Sequence, residues 1–180
     1  MPRLRVIGLS LVLAGAACWS PAALAAPKAL KAGQLTLSFE WNPTWQVGEV
    51  GPGGPPDSAQ FSTANPQDML VMVMAKTRPA DADADKTMRA IMESAARELA
   101  PQSVEKEIKV EPFGSGGTRG YRICLTDRAP KPGEFKFMCE GMASSGNHVV
   151  QFTVLYNDAG KADALEAVKA FESVQVAQGT

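Results

Sequence analysis

The feature that most constrains the fold is the stretch from Gly120 to Tyr156. It reads as three consecutive strands: Tyr121–Asp127, Phe135–Glu140 and His148–Tyr156. The first two alternate in character with period two, and the third is rich in β-branched and aromatic residues. Ala129-Pro130-Lys131-Pro132-Gly133 and Ser144-Ser145-Gly146-Asn147 supply the turns. Strands joined this tightly must be antiparallel.

Cys124 and Cys139 fall on the first two of these strands. Counting back from the turn places Cys124 opposite Cys139, Thr126 opposite Phe137 and Asp127 opposite Lys136. Opposed residues in such a ladder lie about 4.5 to 5.5 Å apart at Cα, a separation that a disulfide accepts. A disulfide between Cys124 and Cys139 is therefore expected.

The N-terminus is read as a leader. Arg3 and Arg5 precede an apolar run from Val6 to Ala17, and Ala23-Leu24-Ala25 has small residues where a signal peptidase cuts. The expectation is a Sec signal peptide over residues 1–25, export to the periplasm, and a single domain over 26–180. The alternative is a lipoprotein anchored at Cys18, although Gly15 stands where a lipobox carries Leu. Loss of the leader removes two of the 18 basic residues and none of the 19 acidic ones, leaving a net charge of −3. That balance argues against nucleic acid as a partner, and the short apolar run against stable membrane insertion after cleavage. Removing Cys18 also leaves an even pair of cysteines, as an oxidising compartment favours.

In the remaining chain, strand signals run consecutively and two helix signals interrupt them. Residues 26–33 read as a loose leader. Leu35–Trp41 has apolar residues at every odd position and is expected to bury one face. Gly51–Pro56 is a loop without the Gly-Lys-Ser/Thr ending of a phosphate cradle. Gln60–Thr63 is a short edge strand. Met69–Ala75 is continuously apolar and is expected to be covered on both faces.

Asp81, Asp83 and Asp85 precede a helix whose apolar stripe is Met88, Ile91, Met92, Ala95 and Leu99, and which Pro101 ends. These aspartates lack the Gly and Glu of a calcium loop and are read as helix-terminal caps. Val104–Pro112 is a weaker strand. A last helix should bury Ala164, Leu165, Val168 and Phe171. Consecutive strands with two helices give an α+β class: a mainly antiparallel sheet covered by two principal helices.

Phe39-Glu40-Trp41-Asn42-Pro43-Thr44-Trp45, Gly120-Tyr121-Arg122, and the closing Phe152–Val174 with Phe171-Glu172-Ser173-Val174 carry a resemblance. On these residues the chain resembles the PsbP-like and DcrB-like group of small exported α/β/α sandwich domains. That group includes photosystem accessory proteins, periplasmic proteins and lipoproteins, and secretion chaperones. The resemblance implies a binding or accessory domain with no catalytic residues to carry over and no named ligand.

Residue chemistry agrees. His148 is the one histidine, at the start of a strand, and reads as a polar surface residue. No nucleophile elbow or zinc-protease motif occurs. No catalytic, cofactor-binding or metal residue is assigned, and no cofactor is expected. Met69, Met72, Met74, Met88, Met92, Met138 and Met142 fall on apolar faces and read as packing, with Cu(I) ligation as the competing reading. The expected function is a non-enzymatic periplasmic accessory or binding protein with a protein or small-molecule partner. The alternative is a periplasmic inhibitor or immunity protein that blocks a toxin or hydrolase.

Overall fold

The computed structural model describes residues 28–51, 54–78 and 83–179, with Lys28 described by its main chain alone. The expected leader with Cys18, part of the Gly51–Pro56 loop, and Asp81 lie outside the described residues.

Among the described residues, ten strands and two α-helices run in the order β1 (Lys28–Ala32), β2 (Leu35–Phe39), β3 (Gln46–Gly48), β4 (Ser58–Ser62), β5 (Met69–Thr77), α1 (Ala84–Leu99), β6 (Glu111–Phe113), β7 (Arg119–Thr126), β8 (Phe137–Ser145), β9 (His148–Tyr156), α2 (Lys161–Ala170) and β10 (Gln175–Gln178). The large sheet has the order β3-β4-β5-β9-β8-β7-β6, and a small sheet has the order β1-β2-β10. Every pairing is antiparallel. The α+β class with a mainly antiparallel sheet follows directly.

The β7–β8 hairpin has the expected register, with Cys124 opposite Cys139 and Thr126 opposite Phe137. The disulfide joins them with Cα atoms 4.1 Å apart. Asp127 and Lys136 do face each other through a backbone bond of 2.8 Å. Their side chains do not pair, however. Asp127 accepts from the Ala129 N–H at 2.9 Å, a local turn bond that aspartate favours, and Lys136 reaches Asp158 at 3.0 Å. The β8–β9 turn is only Gly146-Asn147, with Gly146 at φ 58°. Glycine takes that backbone without strain.

One face of the large sheet carries most of the core. Met69, Val71, Val73 and Ala75 of β5 and Val150, Phe152, Val154 and Tyr156 of β9 lie beneath α2 and the small sheet. Phe152 stacks on Phe171 with centroids 4.2 Å apart. The Phe39–Trp45 motif forms an aromatic cluster here: Phe61 lies 4.9 Å from Trp41 and 5.1 Å from Trp45. Trp45 Nε1 donates to Asp163 at 3.1 Å, tying the motif to α2.

Several expectations need correction. Residues 28–32 are not loose, because Leu30 and Ala32 are buried and pair with β2 around Gly33. β4 is not an edge, since β3 lies outside it. The Val104–Pro112 segment forms no long strand: the Glu105 carboxylate takes the Thr126 N–H at 2.9 Å, and only Glu111–Phe113 pairs. Val104 is exposed, whereas Ile108 is buried. The buried stripe of α1 is Ala84, Met88, Met92 and Ala96, leaving Ile91 exposed. In α2, Ala167 is buried and Leu165 is exposed. His148 is buried rather than superficial, because β9 is central and flanked by Thr77 on β5 and Ser145 on β8.

Candidate functional site

Among the described residues, the second face of the large sheet carries one α-helix. An α-helix is about 10 Å across and strands are spaced about 4.8 Å apart, so one helix covers about two strands. Helix α1 packs on β7 and β8. Its contacts bury Met92, Ala96, Ile123 and Leu125. Asp83 caps its start, accepting the Lys86 N–H at 3.2 Å. Tyr121 on β7 donates to Asp85 at 3.0 Å, and this bond raises the phenol pKa above its ordinary value.

Beyond α1, the same face of β5 and β9 is left partly open. Alternation places Leu70, Met72 and Met74 of β5 on this face. Met72 is 41% exposed, so the expectation that Met69–Ala75 is covered on both faces is not met. The apolar run is continuous because its second face is apolar without being covered.

Cross-strand register arranges this face in rows. Met74, Gln151 and Met142 form one row across β5, β9 and β8, and Met72, Thr153 and Glu140 form the next. Two open clefts lie over these rows. The first, about 380 Å³, lies between α1 and the sheet and includes Met74, Met88, Met142 and Val149. The second, about 410 Å³, lies between Met72 and the loop carrying Val50 and Pro55. Met74 and Gln151 line both clefts, so the two make one trough. Each half falls within the roughly 300 to 1,000 Å³ of small-molecule sites.

The lining is mainly apolar. Gln151 lies on its floor and donates to Glu140 at 3.0 Å. The seven methionines of the core strands and α1 divide accordingly: Met69, Met88 and Met92 are buried, Met138 and Met142 are half-buried, and Met72 and Met74 face the trough. Among the described residues, no group of three or more His, Cys, Asp or Glu side chains is placed to hold a metal. No helix among them is long and apolar enough to cross a membrane.

A separate polar knot closes the end of the hairpin away from the trough. Glu105 accepts from the Thr126 N–H and hydroxyl at 2.9 and 2.8 Å, and from the Ser103 hydroxyl. Burial pushes its carboxyl up, but these hydrogen bonds outweigh burial and hold the pKa down at about 2. Arg128 donates twice to the Ser103 carbonyl, at 3.1 and 2.7 Å. Both carboxylate oxygens of Glu105 have local donors, as suits a structural fastening.

No protein-family profile matches the sequence, and no curated protein matches it. Solved structures do. The chain is similar to cyanobacterial PsbP (CyanoP) from Synechocystis sp. PCC 6803, with TM-score 0.52 and 12% identity over 92% of this chain and 99% of that one. It is also similar to LpqN of Mycobacterium tuberculosis, a protein involved in cell envelope biogenesis, with TM-score 0.46 and 12% identity over 80% of this chain and 84% of that one. The fold is PsbP-like.

Proposed function

We propose that this chain is an exported, non-enzymatic binding domain that holds an apolar ligand in the trough between α1 and the Val50–Pro55 loop. One observation carries the reading: an apolar sheet face, with Met72 exposed, that α1 is too narrow to cover. A mainly apolar groove with a few polar groups is the usual form of a small-molecule site. Methionine suits such a surface, because its unbranched, polarizable side chain reshapes around different partners. The PsbP-like fold is compatible with an accessory role, and the disulfide with an oxidising compartment.

The test is fluorescence of N-phenyl-1-naphthylamine, an uncharged apolar probe, with the purified protein. Enhancement with saturable binding is expected, and a Met74→Glu variant that unfolds at an unchanged denaturant midpoint should lose it. No saturable enhancement with the native protein defeats the proposal.

Met74, Met88 and Met142 share one cleft, and this favours Cu(I) ligation as a second reading. Leucine replaces methionine at nearly constant volume. A Met74→Leu, Met142→Leu variant should keep the naphthylamine signal under the apolar reading. Stoichiometric Cu(I) binding that this variant loses supports the second reading instead.

A further inference from the structure

The two ends of the trough differ in charge. On the open face of β5, Lys76 follows Met74 by one side-chain step and lines the first cleft together with Arg78. The same mouth holds Ala84 and Thr87 from the first turn of α1. A helix start presents partial positive charge. The two described carboxylates at the start of α1 are already engaged. Asp83 caps α1, and Asp85 accepts from Tyr121. Asp57 lies beside Gly33 and lines a separate, polar cleft on the other side of Lys76. Among the described residues the Lys76 ammonium forms no hydrogen bond or ion pair.

Towards the other end the lining carries no charge. Glu140 lies in the Met72–Thr153 row and is held by Gln151. Beyond it the second cleft is bounded by Met72, Val50, Gly54 and Pro55, without a basic residue among its lining. Along β5, side chains on one face are spaced about 7 Å apart, so Lys76 and Met72 mark a run of about 14 Å. An occupant that fits both ends has an anionic head and an apolar tail.

We propose that the trough binds a monomeric, carboxylate-headed amphiphile with one unbranched chain. The head lies at Lys76, and the chain runs over Met74 and Gln151 to Met72 and Val50. An unbranched chain follows from the lining: the groove is long, open and walled by flexible thioethers. This inference rests on the trough binding apolar ligands and adds the head group and the direction.

The experiment compares dodecanoate with methyl dodecanoate, both below their aggregation concentrations, as displacers of N-phenyl-1-naphthylamine. The two share a chain and differ in head-group charge. Dodecanoate should bind about fivefold tighter, the effect of one partly exposed charge contact. Lys76→Gln should remove most of that preference and leave the ester's affinity unchanged. Equal displacement by acid and ester, insensitive to Lys76→Gln, overturns the inference while the apolar trough stands. Probe binding that neither compound displaces also overturns it, and points to a protein segment as occupant. Failure of the probe itself to bind removes both readings.

Discussion

The Tyr121 hydroxyl donates to the Asp85 carboxylate at 3.0 Å, joining the centre of β7 to the first turn of α1. This bond holds the start of the helix over β7, on the far side of the trough from β5. It fixes where the uncovered part of the sheet begins. Tyr121→Phe removes the donor alone. We expect a small stability loss in urea unfolding, as for an exposed hydrogen bond whose partners water can satisfy. Probe affinity should change as well, since the helix wall then moves. A Tyr121→Phe protein identical to the native one in both measurements contradicts this role.

Glu105 gives a pH dependence with a defined sign. Its folded pKa, about 2, lies below the ordinary 4.5. A depressed carboxyl contributes stability that is fully present above the unfolded value and is lost as pH falls through the folded one. Glu105→Gln should therefore cost about 1 kcal/mol at neutral pH. The gap between variant and native protein should narrow between pH 4.5 and 2. A gap of constant size down to pH 2 would show that the carboxylate charge is not what the knot uses.

The Cys124–Cys139 bridge spans a sequence separation of 15 within a hairpin that is already closed. Loop-closure entropy allows at most about 3 kcal/mol for such a loop, and the hairpin itself has met part of that cost. Reduction should lower the melting temperature by several degrees and leave the far-ultraviolet dichroism intact. Unfolding on reduction at room temperature would show that the bridge holds the fold rather than its register.

Gly141 on β8 stands directly opposite Phe152. A Cβ at residue 141 would lie 2.4 Å from the Phe152 ring, which is stacked on Phe171 and has no room to withdraw. Gly141→Ala should destabilise the protein by about 1 to 3 kcal/mol, the usual cost of overpacking a core. Calorimetry showing an unchanged melting temperature would mean that the ring pair is free to shift.

Much of the fold is legible in the sequence because local signals and long-range pairing agree. The Cys124–Cys139 register follows from turn residues and period-two alternation. Asp83 and Pro101 bracket α1. The short strands β1, β3 and β10 are not legible, because three to five residues of mixed character carry little periodicity. The burial of His148 is hidden because it depends on strand order, which places β9 between β5 and β8. The trough is hidden for a related reason. A continuous apolar run such as Met69–Ala75 looks the same whether its second face is covered by a helix or left for a ligand. Only the count of helices per face separates the two, and that is a property of the assembled sheet.

The central claim is that the open face of β5, β9 and β8 is the binding surface. Methyl NMR of the protein labelled at methionine tests it most directly, with N-phenyl-1-naphthylamine as the titrated ligand. Met72, Met74 and Met142 line the trough, whereas Met69 is fully buried on the opposite face and Met92 lies within the α1 contact. The account predicts saturable shifts of the Met72, Met74 and Met142 methyls, with those of Met69 and Met92 nearly still. Saturable binding that leaves the first three unmoved, or no binding at all, would contradict it.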